Sequence, residues 1–299
     1  MQLQFLYASR ALEFASMQRL AFLYWQWLKR DVTARYRGSI FGLLWPLLQP
    51  AIQIMVFTLI FFEFMQMRWP AAGSAVSPGI SAAPTGALDY ALNVFAGLCI
   101  FNFMAEILGR SPSCVLSQPN LVTKVKFPLW LLPAVTVGAA LIHIVVGTVS
   151  IALITLFTQQ GALAAQSASA PSFQTLFGLI LLWLPLLLPL LAYGLGVAYF
   201  IASVGVYVRD IGQVMPALSS LLMFLTPIFY PLSSVPDGLK SLFAMNPLAW
   251  GADITRAALL SGAPIDAAQW GWHMLASLIF CAAGAWTFAK LQNGFADVL

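Results

Sequence analysis

Residues 28–62 read LKRDVTARYRGSIFGLLWPLLQPAIQIMVFTLIFF, and this stretch contains the most informative boundary of the chain. Six lysines and arginines lie in the first 37 positions, whereas residues 38–62 carry no charge. The uncharged run is longer than the roughly 20 apolar residues that a helix needs to cross a hydrocarbon core of about 30 Å. Because basic residues stay on the cytoplasmic side of a membrane helix, the boundary predicts a first span that follows a cytoplasmic N-terminal segment.

The composition of the whole chain also indicates a membrane protein. Of its 299 residues, 61% are hydrophobic and only 8% are charged, and the mean hydropathy is +0.86. A soluble domain could not bury that much apolar surface. The net charge of +4 comes from cations at the ends of apolar runs, which indicates membrane topology rather than nucleic-acid binding. Three widely spaced cysteines predict neither a disulfide framework nor a metal site, and segment 2–30 does not resemble a cleavable signal.

Six apolar segments are predicted to cross the membrane as helices. They are 40–66, 90–109, 129–157, 174–203, 213–230 and 269–289. With both termini inside, 11 of the 14 lysines and arginines fall in cytoplasmic segments, and only Arg68, Lys240 and Arg256 fall outside. Moving the count by one helix would destroy this asymmetry. The predicted fold class is therefore an all-α integral membrane protein, with one transmembrane domain over 1–299 and both termini in the cytoplasm.

Two segments outside the spans have predicted structural roles. Within 9–30, aromatic and aliphatic residues share one helical face and cations share another, which predicts an amphipathic helix in the headgroup plane. A helix packed on its own protein is the alternative. The uncharged loop 69–88 is rich in Pro, Gly, Ala and Ser, so it predicts an outer spacer or, alternatively, a docking surface for an outer partner.

Residues with catalytic or metal-binding chemistry are few. His143 and His273 lie in apolar spans without carboxylates near them in sequence, so each is predicted to be a helix-packing residue. No Gly-x-x-x-x-Gly-Lys-Ser/Thr loop occurs, so energy from ATP must come through another subunit. Glu106 and Arg110 predict a local ion pair at the inner end of the second span. Glu63 predicts either the lining of a pathway or a carboxylate that reaches the interface.

Seven short motifs stand in a fixed order relative to the six spans. They are KRD at 29–31, RYRGS at 35–39, GLLWP at 42–46, PNLVTKVKFP at 119–128, VRDI at 208–211, LTPIFYP at 225–231 and NPL at 246–248. In this order the chain resembles the membrane subunits of ABC exporters that move capsular polysaccharide, O-antigen or teichoic acid across the bacterial inner membrane. The long first outer loop looks like an insertion relative to that family.

The resemblance implies a transport subunit without catalytic residues, metal or cofactor of its own. A second copy of the chain would complete a conduit for a lipid-linked polysaccharide, and two cytoplasmic ATPase subunits would bind ATP and Mg²⁺. The resemblance leaves open whether a periplasmic or outer-membrane export partner also binds. The residues implied in coupling to the ATPase are Asn120, Leu121, Val122, Thr123, Lys124, Val125, Lys126 and Phe127, with Arg209 and Asp210 as a second contact; anchoring at the membrane end is the alternative for both groups.

Substrate contacts are predicted at two places. Arg35 and Arg37 lie where a phosphate headgroup would enter, and a planar guanidinium suits bidentate phosphate binding; contacts with anionic lipids are the alternative. The conduit candidates are Trp45, Phe61, Glu63, Phe229 and Tyr230, whose rings also suit helix packing and interface belts. Region 231–266 resembles the re-entrant outer helices of the family and is predicted to cover the outer mouth.

Two other functions remain open from the sequence. A related exporter of drugs or small lipids would share the fold without a conduit wide enough for a polymer. An integral-membrane transferase acting on lipid-linked sugars would need convergent polar groups, and the absence of clustered carboxylates and histidines in the sequence counts against it.

Overall fold

The computed structural model describes residues 2–37, 45–66, 69, 86–125, 127–163, 183–232, 235–261 and 266–299, and the regular elements in these ranges are helical. In chain order the helices are α1 (Gln2–Tyr36), α2 (Trp45–Phe57), α3 (Ala87–Arg110), α4 (Pro119–Thr123), α5 (Leu131–Leu163), α6 (Leu188–Tyr207), α7 (Ile211–Leu225), α8 (Asp237–Met245), α9 (Pro247–Arg256), α10 (Ala267–Leu291) and α11 (Phe295–Val298). The predicted all-α class is confirmed.

Four helical stretches within the described ranges are long and apolar enough to cross a membrane. They are Ala87–Ser113, Leu131–Thr155, Leu188–Tyr207 and Ala267–Val298. They overlap the second, third, fourth and sixth predicted spans, although the stretch in the fourth span begins at Leu188, 14 residues after the predicted start at 174. The first and fifth predicted spans contain the shorter apolar helices Ala51–Phe64 and Ile211–Leu225. The chain is therefore a multi-pass membrane protein with at least four spanning candidates, and region 231–266 contains the two short helices α8 and α9.

α1 and α5 extend beyond their predicted ends, whereas α2 changes its helix type within the predicted first span. α1 includes the predicted interface segment 9–30 and continues to Tyr36, where Asp31 and Arg35 pair four residues apart. α5 continues to Leu163, six residues beyond the predicted end of the third span at 157. α2 continues as a π-helix over Thr58–Phe64, in which the N–H of Met65 bonds to the carbonyl of Ile60 at 3.0 Å. The loop 69–88 lies almost wholly outside the described residues.

The buried core is built around α3. Along this helix Val94, Leu98, Ile100, Phe103 and Ile107 have no exposed surface, and α3 contacts α2, α5, α7 and α9. Such burial on several faces is typical of a helix surrounded by others in a bundle. The helix thus fixes where the ends of its neighbours meet.

α6 and α10 pack against each other through glycines. A Cβ at Gly284 would overlap the carbonyl oxygen of Gly196, and a Cβ at Gly196 would lie 2.8 Å from the carbonyl oxygen of Phe280. Small residues let two membrane helices approach to backbone contact, which replaces hydrophobic driving force with van der Waals packing. The pair places the C-terminal ends of α6 and α10 side by side.

Candidate functional site

The short helix α4 lies at one end of the bundle, where several chain segments converge. Pro119 occupies its first turn, and Lys124 caps its C-terminal end. Leu121 and Val122 pack against an apolar cluster that contains Phe288 of α10 and Phe295 of α11. α4 is therefore held firmly against the C-terminal segment, and we call this end of the molecule the α4 end.

The other side of α4 and the turn after it face outward. Asn120, Thr123 and Lys124 are exposed, and Val125 is 55% exposed. Phe127 returns to the protein, since its ring lies 5.0 Å from that of Trp27 in α1. Lys126 lies outside the described residues. The predicted coupling segment thus has an anchored side and an exposed side, while its contact with an ATPase stays a prediction.

The turn between α6 and α7 lies at the same end. Arg209 and Asp210 are both exposed. Just before them, the hydroxyl of Tyr207 donates to the carbonyl of Leu291 at 2.9 Å, and Gly205 packs so closely that a Cβ there would lie 2.8 Å from the carbonyl oxygen of Pro112. The structure therefore brings the two predicted coupling segments to one end of the bundle.

Five ionisable side chains join α1, α3 and α5 next to the α4 end. They are Asp31, Arg35, Glu106, Arg110 and His143, and we call them the charge cluster.

Glu106 is the most buried member, at 11% side-chain exposure. It pairs with Arg35, lies 3.3 Å from Arg110 and has its second oxygen 2.5 Å from Nδ1 of His143. Arg110 also binds Asp31 through both terminal nitrogens, at 2.5 and 2.8 Å. Burial raises the pKa of Asp31, and Arg35 and Arg30 oppose that rise.

The charge cluster changes how three predicted residues are interpreted. The predicted Glu106–Arg110 pair is present, but it belongs to a larger network. His143 has carboxylate Glu106 beside it in space, so the expectation that no carboxylate accompanies it holds only along the sequence. Arg35 is bound to two carboxylates, whereas Arg37 is exposed at the end of α1. The headgroup role of both arginines stays a prediction.

The conduit candidates separate into two groups along α2. Phe61 stacks on Phe229 with ring centroids 4.6 Å apart, and Phe229 is only 2% exposed. The hydroxyl of Tyr230 donates to the carbonyl of Phe224 at 2.8 Å. Glu63 is exposed at the same end of α2, and Trp45 lies at its opposite end with 39% exposure. Whether any of them lines a conduit stays a prediction.

Arg256 is buried at the end of α9, which sequence reasoning counted only as an outer cation. Its side chain is 7% exposed and lies 3.1 Å from Asp253. It donates to the carbonyls of Asn93 and Ile228, each at 3.0 Å, and its guanidinium lies 4.5 Å from the ring centroid of Trp69. Arg256 therefore ties α9 to α3 and to the segment that carries Phe229.

Comparison with known proteins identifies the family of this arrangement. Residues 23–260 match the ABC-2 type transporter membrane family. The chain belongs to that family. The matched residues include the charge cluster, α4 and Arg256, whereas α10 and α11 follow them.

Curated relatives of this ABC-2 family member are named as export or transport proteins. The chain is 27% identical over 223 residues to the O-antigen export system permease protein RfbA of Myxococcus xanthus, with 74% of each chain covered. It is 22% identical over 275 residues to the protein of the same name in Klebsiella pneumoniae, covering 90% of this chain and 92% of the relative. It is also 24% identical over 235 residues to the polysialic acid transport protein KpsM of Escherichia coli, covering 78% and 79%.

Proposed function

We propose that this chain is the permease subunit of an ATP-driven exporter that moves a lipid-linked O-antigen or capsular polysaccharide across the bacterial inner membrane. The family assignment and the names of the relatives support the class of cargo. The observation that carries the proposal within the molecule is the α4 end, where an anchored short helix presents an exposed polar and basic side. The chain acts in transport, and bond-breaking chemistry belongs to partners.

The proposed topology has six membrane crossings with both termini in the cytoplasm. α2 and its π-helical continuation to Phe64 cover 20 residues, which corresponds to about 30 Å at 1.5 Å per residue and matches a hydrocarbon core. α7 has 15 residues and is followed by the apolar segment up to Tyr230, so the two together supply the fifth crossing. The α4 end is then cytoplasmic, and α8 and α9 are re-entrant helices that cover the outer mouth.

Two ATPase subunits are proposed to bind at the α4 end and to hold ATP and Mg²⁺. The exposed Lys124 and the Arg209–Asp210 turn would contact the ATPase, while Leu121 and Val122 keep α4 attached to α11. A rigid attachment matters because force applied to α4 then moves α10 and α6, with which it shares a cluster. Nucleotide-dependent motion could in this way reach the membrane helices.

The proposed conduit lies between two copies of the chain. α2 with its π-helical continuation, and α7, support this because both expose large apolar side chains at the surface of a single copy. Those that are more than half exposed are Ile52, Met55, Leu59, Phe64, Val214, Leu221 and Phe224. In a dimer, each copy would cover these side chains of the other. Phe61, Glu63 and Tyr230 would then lie near the outer part of the dimer interface.

The coupling role is tested by reversing charge at the α4 end. Lys124→Glu together with Lys126→Glu should leave the protein inserted and bound in the membrane but reduce export about tenfold or more, because a basic contact with the ATPase becomes repulsive. Surface polysaccharide per cell and ATPase activity of the reconstituted complex measure the two effects. Lys240→Glu, which changes an exposed lysine at the opposite end, is the matched control. Unchanged export in the double variant would remove the coupling role from this segment.

The cargo is tested by deleting the gene and complementing it. Loss of surface polysaccharide, with lipid-linked glycan accumulating inside, is the expected result. A deletion strain with normal surface polysaccharide but increased sensitivity to small amphipathic compounds would instead favour an exporter of drugs or small lipids.

A further inference from the structure

A cavity of about 460 Å³ lies among α8, α9 and the first turns of α10, at the end of the bundle opposite α4. Its size falls within the roughly 300–1,000 Å³ of small-ligand sites. The charge cluster, the coupling segments and the Phe61–Phe229 pair take no part in its lining. It is therefore a separate candidate site.

The cavity combines flat rings with a few polar side chains. Its rings come from Phe243, Trp250 and Trp272, and its polar groups come from Asp253, Gln269 and His273. Trp250 and His273 are stacked, with centroids 4.6 Å apart and planes at 23°. The indole of Trp272 is 62% exposed, so it lies at the open side of the cavity.

These groups match the two surfaces of a sugar ring. A pyranose presents a face of C–H bonds, which are attracted to the electron-rich face of an indole. It also presents hydroxyls that both donate and accept, which a carboxylate and a side-chain amide can bind together. The Asp253 carboxylate is held in place by Arg256 at 3.1 Å and so costs little ordering on binding. A lipid tail has no hydroxyls and could form hydrogen bonds with neither the carboxylate nor the amide.

We propose that this cavity is a saccharide subsite that binds a neutral sugar unit of the exported chain. The inference rests on the proposed function, because it assumes that a glycan passes this end of the molecule. Neutral sugars are favoured because the described residues that line the cavity include no lysine or arginine that could bind an acidic sugar, and their one carboxylate, Asp253, is already paired with Arg256. The subsite would retain the emerging glycan beside the outer mouth.

The test uses the permease with its ATPase in lipid nanodiscs and saturation-transfer NMR with three probes: methyl mannoside, methyl rhamnoside and methyl galactoside. The wild-type complex should transfer magnetisation to the ring C–H protons of at least one probe. Trp272→Ala should reduce that transfer at least tenfold, and Gln269→Ala about threefold. Trp286→Ala is the matched control, since its indole is equally exposed, at 63%, on the same helix but away from the cavity.

Three results would overturn the subsite: no transfer to any probe in the wild type, equal losses in Trp272→Ala and Trp286→Ala, or a co-purified phospholipid that depends on Trp272 in place of a sugar. The proposed function fails by a different measurement, namely normal surface polysaccharide in the deletion strain. One case of the second result is a Trp272→Ala complex that binds every probe as tightly as the wild type does. If the Trp272→Ala strain also exports normally, the subsite is rejected and the proposed exporter function stands.

Discussion

The charge cluster and Arg256 both place charged side chains among apolar helices, but they stabilise those charges in different ways. In the charge cluster, two carboxylates, two guanidiniums and a histidine share partners, with side-chain exposures between 11 and 35%. Arg256 is 7% exposed and has one carboxylate, two backbone carbonyls and an indole. A single substitution in the charge cluster should therefore cost less stability than one at Arg256, because its members share partners and are partly hydrated. At the opposite end, stability depends on the single side chain of Arg256.

The largest expected effect is therefore the loss of Arg256. Arg256→Met should lower the free energy of unfolding by about 3–5 kcal/mol, because two backbone carbonyls and the partly exposed carboxylate of Asp253 lose their donor. Arg256→Lys should lose less stability than Arg256→Met, because the ammonium keeps the positive charge beside Asp253. It should still be less stable than the wild type, because an ammonium lacks the fixed fork of donors that reaches the carbonyls of Asn93 and Ile228. Unfolding in mixed detergent micelles, followed by circular dichroism, measures both.

Arg209→Met is the control for this comparison because Arg209 is exposed at the α6–α7 turn. Its expected change is within about 0.5 kcal/mol, as for other surface substitutions. If Arg256→Met and Arg209→Met shift stability equally, Arg256 does not hold α9 in place.

A middle effect is expected in the charge cluster. Glu106→Gln keeps the shape of the side chain but leaves Arg35, Arg110 and His143 with a neutral partner, so about 2 kcal/mol should be lost. Asp31 continues to bind both arginines, which limits the loss. Asp89→Asn makes the same chemical change at the exposed start of α3 and should cost a few tenths of a kcal/mol. Similar unfolding midpoints for the two variants would contradict a stabilising role of the charge cluster.

The sequence predicts the helices far better than it predicts these two regions. Long apolar runs predict both ends of α3, α5 and α10 and the C-terminal end of α6 within several residues, because an apolar helix of that length has only the membrane or the core to occupy. The short helix α4 was not predicted as a helix, although Pro119 in its first turn is typical of a helix start. The pairing of Arg110 with Asp31, however, joins residues 79 positions apart, and the bond from Arg256 to Asn93 joins residues 163 apart.

Such pairs depend on how each helix is rotated about its axis, which the spacing of apolar residues leaves undetermined when a helix is apolar on all sides. α3 is a helix of this kind, so Glu106 could be matched to Arg110 four residues away but not to His143 of α5. The burial of Arg256 could not be predicted for a related reason. Its acceptors on Asn93 and Ile228 are backbone carbonyls, which every residue type has. The candidate site was thus predicted at the level of segments, not of contacts.

A smaller effect should separate the two headgroup candidates. Arg35→Ala removes contacts with Asp31 and Glu106 and should cost about 1 kcal/mol of stability, whereas Arg37→Ala should leave stability within about 0.5 kcal/mol. If Arg37 binds a phosphate headgroup, its loss should lower substrate-stimulated ATPase activity more than basal activity. Unchanged stimulation in Arg37→Ala would leave no headgroup role for that residue, and Arg35 would then be a structural member of the charge cluster.

The smallest effect is expected for the Asp237–Lys240 pair of α8, which extends the comparison to full exposure. Lys240 lies 2.6 Å from Asp237, whose side chain is 94% exposed, and this contact lowers the pKa of Asp237. A lowered carboxyl pKa contributes stability above the unfolded value near 4, and that contribution is lost as the pH falls through the folded value. Because water and salt screen an exposed pair, Asp237→Asn should leave the unfolding midpoint at pH 7 unchanged and alter only its slope below pH 4. A midpoint loss at pH 7 as large as that of Glu106→Gln would show that burial does not rank the three ion-pair sites.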